Sequence, residues 1–195
     1  MNNMWDQRYA VEDYVYGEKP NSFFKENLLK YPVGKLLLPA EGEGRNAVFA
    51  ALSGWDVTAF DSSEVGKAKA EKLSKKHGVS ISYLLASHED VILEAKSFDM
   101  LALIYAHSPF RQDIHKKILR YLKPGGTILI EGFSKEQIKY NTGGPGRIDM
   151  LFSKKEINSD FSSLAEVDIR IEEVELDEGE FHQGKASVLR MIGKK

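Results

Sequence analysis

The chain has 195 residues, a length that favours one domain, with room for an ornament but not for a second full domain. It contains no cysteine, which excludes a disulfide framework, thiolate metal ligation and a catalytic thiol. Its 27 Lys and Arg against 29 Asp and Glu leave a formal charge of -2, so no global field gathers nucleic acid or an acidic membrane. No apolar run approaches the roughly 18 residues of a membrane helix. The opening MNNMWDQRYA puts an acid and an arginine where a secretory signal needs apolar residues, so a cytoplasmic protein is expected.

In chain order, Trp5, Tyr9, Tyr14 and Tyr16 punctuate a polar opening. Residues 1–33 read as an ornament or lid on the single domain 1–195, with a short helix from about Ser22 to Tyr31. Lys35 to Pro39 reads as a buried strand, because its three consecutive leucines do not alternate, as happens when both sheet faces are covered. Gly42 and Gly44 permit the turn that follows, and Arg45 to Ser53 forms a helix closed by Gly54. Asp56 to Phe60 is the second strand, after which Ser62 or Ser63 caps a helix running to about His77. Strands at Ile81 to Leu85, Phe98 to Tyr105 and Thr127 to Ile130 continue an α/β alternation with room for right-handed crossovers.

Ile114 to Leu122 has helical spacing, and Lys123-Pro124-Gly125-Gly126 supplies a cationic end and a stop. Phe133 to about Ile148 is a polar, glycine-rich stretch in which NTGGPGR reads as a long loop over a site. Ser153 and Glu156 have capping-box spacing before a helix that reaches about Phe161. Val167 to Leu176 and Lys185 to Ile192 are strand-like runs flanking DEGEFHQG, which predicts a terminal hairpin. The apolar phase of the first run changes at Glu172-Glu173, which predicts a bulge or bend there.

The strongest chemical signal is LLLPAEGEGRN, Leu36 to Asn46, followed one strand later by Asp61 in TAFDSS. In an open α/β sheet, ligands settle beyond the carboxyl ends of strands near the point where strand order reverses. Gly42 and Gly44 let backbone approach a ligand there, and Asp61 can accept hydrogen bonds from two vicinal ribose hydroxyls. The plainer alternative is a tight turn with Asp61 capping the next helix. A dinucleotide fingerprint prefers G-x-G-x-x-G, whereas this loop has Ala40, Gly42 and Gly44, with Ala47 at the following offset. Glu41 and Glu43 add negative charge where a pyrophosphate seeks backbone donors. A cationic, phosphate-free nucleoside cofactor therefore fits better than NAD. An NAD-dependent oxidoreductase and a noncatalytic nucleoside-binding regulatory module remain alternatives.

With the segments WDQRYA, YVYGEKPNSFF, AEGEGRNAVFAL, VTAFDSS, FDMLALIYAHSP, LKPGGTILIEGF and GGPGRIDMLFSKKEI, nearly the whole chain resembles class I S-adenosylmethionine-dependent methyltransferases, especially the tellurite-resistance and thiopurine methyltransferase group. The resemblance implies an α/β, Rossmann-like three-layer sandwich with a seven-stranded, mostly parallel sheet and an antiparallel C-terminal strand. It implies S-adenosyl-L-methionine as cofactor and a small-molecule acceptor, a soft sulfur, selenium or tellurium nucleophile being one option. Gly42 and Gly44 match the family's second and third glycines, Ala40 replaces the first, and Pro39 and Glu41 depart from the commonest surroundings. Asp61 matches the ribose-binding acid and Ser62 follows it beside the adenine. Ala86-Ser87-His88 stands where many members carry an adenine-side acid, leaving Ser87 as a weaker acceptor.

Tyr105, Ala106 and His107 follow the fourth strand and should face the same end of the sheet. His107 can orient a substrate or remove a proton, or be a solvated loop residue. Arg45 either pairs with Glu41 or Glu43 or contacts substrate, while Asn46 organises the loop or orients the cofactor. Tyr14, Tyr16 and Trp5 either close an aromatic lid or tether the first segment, and the resemblance tips Tyr16 and Gly17 toward the site. Tyr140, Arg147 and the glycine-rich loop between them are candidates for the substrate-facing wall, with Arg147 either attracting an anionic acceptor or pairing with Asp149. His182 is expected to be exposed at a hairpin tip. His88-Glu89-Asp90 lacks metal-ligand spacing, so no metal is expected. The oligomeric state is left open.

Overall fold

The structure, a computed structural model, describes residues 4–140 and 142–195; Asn141 of the NTGGPGR loop and the first three residues of the opening segment lie outside it. Five parallel strands are laid down first: β1 (Lys35–Pro39), β2 (Asp56–Asp61), β3 (Ser82–Leu85), β4 (Phe98–Ile104) and β5 (Leu122–Phe133). The chain then adds the hairpin β6 (Glu166–Asp177) and β7 (Gln183–Lys194), giving the order β3-β2-β1-β4-β5-β7-β6. Strand β7 runs antiparallel to both neighbours. The expected seven-stranded, mostly parallel sheet with an antiparallel C-terminal strand is what the chain forms.

Helices cover both faces: α1 (Met4–Tyr9), α2 (Ser22–Leu28), α3 (Arg45–Leu52) and α4 (Glu64–Lys76), then α5 (Arg111–Leu119) and α6 (Lys154–Asp160). Leu36, Leu38, Met100 and Ala102 pack with Phe24 and Leu28 of α2, Ala47 and Ala50 of α3 and Ala70 of α4. Their odd-numbered neighbours Leu37, Leu101 and Leu103 pack on the other face with Ile114 and Ile118 of α5 and Ile157 of α6. Covered faces on both sides explain the unbroken leucines of β1, each worth roughly 2 kcal/mol or more of burial.

Local signals set the helix starts. The Ser63 hydroxyl accepts from the Gly66 N–H to cap α4, and Ser153 with Glu156 forms both halves of the capping box on α6. Two expectations need correction. Helix α5 begins and ends three residues earlier than Ile114 to Leu122, because the amides of Arg120 and Tyr121 tighten back onto Lys117 and Ile118 and Leu122 already pairs with Phe98. Lys123 to Gly126 therefore lies inside β5, opposite a register shift between Phe98 and Met100.

The bulge expected at Glu172-Glu173 is absent, since β6 pairs with β7 without a break from Glu166 to Asp177. The phase change has another cause. Val167, Ile169 and Ile171 face the layer of α6, whereas Val174 and Leu176 face a separate cluster with Phe133 and Val188. One regular strand serves two covers.

Candidate active site

Strand order reverses between β1 and β4, and a cavity of about 650 Å³ opens beyond the carboxyl ends of the strands at that point. Helix α1, the loop after β1, the ends of β2 and β4, residues 143–150 and the tip of the β6–β7 hairpin all contribute to its wall. A second concavity of about 830 Å³, around Tyr31, Lys123 and Gly125 at the other end of the strands, holds none of the predicted site residues.

The β1–β2 side is built on carboxylates held by backbone. Asp61, 7% exposed, accepts from the Gly42 N–H at 3.0 Å and from the Ser63 N–H at 2.9 Å. Burial raises its pKa above the ordinary aspartate value, against these hydrogen bonds. The Ser62 N–H adds to these donors, and the two carboxylate oxygens can still accept further hydrogen bonds. The Tyr83 hydroxyl donates to the Gly42 carbonyl at 2.5 Å, and Tyr9 lies so close that a Cβ on Gly42 would sit 2.6 Å from its hydroxyl oxygen. Ala40 takes the left-handed conformation, φ 52°, at the position where the resemblance expects glycine. Gly44 does the same at φ 86°, and a Cβ there would lie 2.5 Å from Ala70 Cβ.

Glu41 occupies the start of α3. One carboxylate oxygen accepts the N–H groups of Asn46 and Ala47 at 2.8 and 2.7 Å, and the other meets the Asn46 side-chain amide. Burial pushes its carboxyl up to about 7, although these donors and Arg45 pull the other way. The donors a pyrophosphate would use are thus taken by the chain's own carboxylate. Asn46 has the local organising role, and its Oδ1 also accepts the Asn21 N–H. Glu43 turns to Lys69 at 2.6 Å and to the Val15 N–H at 2.8 Å, tying down the opening segment. Ser62 lines the cavity. So does Ser87, whose hydroxyl donates to Asp90 in its own turn.

The β4–β5 side is aromatic. Tyr16, Tyr105, Phe133, Phe181 and His182 line it, with the His182 ring 4.6 Å from Tyr16, 4.5 Å from Tyr105 and 5.1 Å from Phe133. Tyr105 holds φ 55°, and burial of its hydroxyl beside Glu131 raises its pKa well above the ordinary tyrosine value. The Tyr16 hydroxyl accepts from Arg8, whose guanidinium stacks over Phe181 at 4.7 Å.

Several expectations change here. His107 is no proton acceptor: its Nδ1–H donates to the Met150 carbonyl at 2.8 Å and its Nε2 accepts the Phe133 N–H at 2.9 Å, so both nitrogens are spent on backbone. Burial lowers its pKa to about 4, and it acts as a neutral brace between β5 and the loop. Arg147 lines the cavity mouth and takes the second of its two expected roles, an exposed pair with Asp149 at 2.5 Å. Arg45 pairs with Glu178 at 2.8 Å, not with Glu41 or Glu43. Tyr140 turns out to Glu173, while Gly143, Gly144 and Pro145 line the cavity. Tyr14 is a tether, its hydroxyl donating to the Lys69 carbonyl. Trp5 and Tyr16 reach the cavity wall. Among the described residues no group of His, Asp and Glu has metal-site geometry, and no helix is long and apolar enough to cross a membrane.

Residues 38–130, a little under half of the chain, match the family model described as a methyltransferase domain. The sheet order and the strand-end cavity agree with that match. The chain has the Rossmann-like α/β fold that class I methyltransferases share. Sequence comparison with curated proteins returned no match. Among solved structures, one described for conversion of a disulfide bond into a thioacetal group during echinomycin biosynthesis superposes with a TM-score of 0.76 at 14% identity, over 100% of this chain and 91% of that one. TehB from Haemophilus influenzae gives 0.71 at 18% identity, over 90% of this chain and 62% of that one. A S-adenosylmethionine-dependent methyltransferase from Methanosarcina mazei gives 0.69 at 19%, over 91% and 98%.

Within this methyltransferase fold, two groups escaped the sequence reading. His182 is 6% exposed rather than free at a hairpin tip, because the tip folds inward against Tyr16 and Tyr105. The signal for it was Phe181-His182, an aromatic pair within an otherwise acidic turn flanked by Gly179 and Gly184. The second is the buried network in which the Asn21 amide donates to Glu131 at 2.5 Å and to Glu178 at 2.9 Å, while Arg190 donates to Glu131 at 2.6 Å. Asn21 and Glu131 stand 110 residues apart, and no local pattern links them.

Proposed function

We propose that the chain is a S-adenosyl-L-methionine-dependent methyltransferase of the cytoplasm that methylates a small, largely apolar acceptor through a soft nucleophile such as sulfur. The observation that carries this reading is the Glu41 carboxylate seated on the first N–H groups of α3, beside a Gly42–Asp61 contact at 3.0 Å. A phosphate-bearing dinucleotide would find those N–H donors already taken by the Glu41 side chain, whereas a phosphate-free nucleoside does not need them. His88 Nδ1, buried on the cavity wall without a partner among the described residues, is a group that a polar ligand satisfies.

When bound, the cofactor supplies an electrophilic methyl group on a sulfonium. Asp61 holds ribose hydroxyls, the Gly42 loop provides close backbone approach, and Ser62 and Ser87 line the base-binding side. Trp5, Tyr9 and Tyr16 from the opening segment exclude water. The aromatic wall around Tyr105, Phe133 and Phe181 orients an apolar acceptor, so that rate comes from alignment and desolvation.

Calorimetric titration with S-adenosylmethionine and with S-adenosylhomocysteine tests the cofactor assignment, with saturable binding expected for both and none for NAD. A folded sample that binds neither sulfur nucleoside overturns it. Binding without S-adenosylhomocysteine production across thiol, selenol, phenol and amine acceptors would leave a nucleoside-binding module in place of an enzyme.

A further inference from the structure

The tip of the β6–β7 hairpin brings a carboxylate and an imidazole to the aromatic side of the cavity. His182 Nδ1 is buried 3.5 Å from Glu178 Oε2, an ion-pair distance with no hydrogen bond formed between them. Glu178 is itself fixed, accepting Arg45 at 2.8 Å and the Asn21 amide at 2.9 Å. The ring's other nitrogen, Nε2, points away from Glu178, where the ring lines the cavity between Tyr16 and Tyr105. No hydrogen bond within the described residues claims it. The remaining histidines do not offer this arrangement. His107 has both nitrogens on backbone, His115 is bound to Asp160 outside the cavity, His88 packs edge-on against Phe60, and His77 ends α4.

We infer that His182 is the catalytic base of this site, with Glu178 as its positioning residue, and that the acceptor is an apolar thiol arriving with its proton on. The inference rests on the methyltransferase reading above. In the step, the thiol S–H bond breaks and its proton passes to His182 Nε2. The freed electron pair forms the new S–CH₃ bond as the sulfonium C–S bond breaks, leaving two neutral thioethers. One positive charge enters as sulfonium and one remains as imidazolium, beside a carboxylate that stays ionised. Burial keeps the His182 imidazole below its ordinary pKa and hence neutral near pH 7, the form a base requires. Burial would raise Glu178, but the Arg45 guanidinium beside it helps hold its carboxyl below the ordinary glutamate range. The other groups facing the ring are Arg8 and Tyr16 from the opening segment, Tyr105 after β4, and the neutral His107.

Two thiols separate the base from a packing role. Benzyl mercaptan is protonated near neutral pH, whereas 4-nitrothiophenol is ionised and needs no base. His182→Asn, with His182→Phe keeping the aromatic packing, should lower kcat for benzyl mercaptan about 100-fold or more and for 4-nitrothiophenol less than about threefold. S-adenosylhomocysteine affinity, read by calorimetry, should stay within about twofold. Glu178→Gln should move the His182 pKa, read by NMR on the S-adenosylhomocysteine complex, further down, and the acid limb of the benzyl mercaptan pH profile with it. Equal losses on both thiols in both His182 variants overturn the inference. So does retained benzyl mercaptan turnover, or a wild-type chain that binds S-adenosylmethionine yet methylates neither thiol. A wild-type chain that fails to bind S-adenosylmethionine takes the functional reading down as well, which marks that failure as a different one.

Discussion

On the β1–β2 side of the cavity, Asp61 and Glu41 are fixed by backbone N–H groups of the adjoining loop and helix. Asp61 reaches the Gly42 amide across 19 residues, and Glu41 reaches the first turn of the helix it precedes. On the β4–β5 side, the wall is assembled from distant pieces: Tyr16 from the opening segment, Tyr105 after β4, and His182 from a hairpin near the end of the chain. The first side is a rigid polar cradle with little freedom to change. The second is an apolar, aromatic surface whose members meet only when the whole sheet is formed. On the proposed function, the first side would hold the constant ligand and the second the variable acceptor, where loop and hairpin changes leave the cradle alone.

The comparison breaks most visibly if the cradle tolerates change. Gly44→Ala adds a Cβ 2.5 Å from Ala70 at a backbone φ of 86°, so both strain and overlap oppose it. The expected cost is roughly 2–4 kcal/mol, read as a fall in Tm of roughly 5–15 °C. A variant melting with the wild type would mean that α3 and α4 are looser than the cradle requires. Asp61→Ala should then weaken S-adenosylhomocysteine binding roughly 10- to 100-fold, the range for losing hydrogen bonds to a charged acceptor. The variant should remain folded by circular dichroism. Unchanged affinity in that folded variant removes Asp61 from the ligand.

A smaller effect is expected in the pH dependence of stability. The folded Glu41 carboxyl titrates at about 7, above the ordinary 4.5, so the folded state binds the extra proton between those values. Stability tied to this group is complete below about pH 4.5 and falls as pH rises toward 7, by on the order of 2 kcal/mol. Glu41→Gln should flatten that decline in urea unfolding measured from pH 5 to 7.5. An identical slope in the variant would mean that the α3 N–H groups keep the carboxylate ionised throughout.

The same contrast explains what the sequence made legible. β1 runs from Lys35 to Pro39 as its leucines imply, and the Ser153–Glu156 capping box forms as spaced, because each depends on neighbours within a few residues. The Gly42–Asp61 pair was readable because strand, turn and helix lengths bring consecutive strand ends together. His182 was not, because its burial depends on Tyr16 and Tyr105, which a hairpin pattern does not specify. Nor was the unbroken pairing of β6. A change of hydrophobic phase reads as a bulge when only one face is assumed to be covered, and β6 has a different cover on each face.

Arg147 gives the smallest expected effect and tests the aromatic side most directly. A cationic residue in a glycine-rich loop at a cavity mouth invites a role in binding an anionic acceptor, yet its guanidinium is held by Asp149 and both side chains are more than half exposed. An exposed pair two residues apart contributes little to stability, so Arg147→Ala should change it by no more than about 0.5 kcal/mol, a Tm shift of roughly 1–2 °C. Because the cavity wall beside it is apolar, the KM for a neutral thiol such as benzyl mercaptan should change less than about twofold. A KM rise of tenfold or more with unaltered Tm would show that the acceptor side selects by charge, and the division between a polar cradle and an apolar wall would no longer hold.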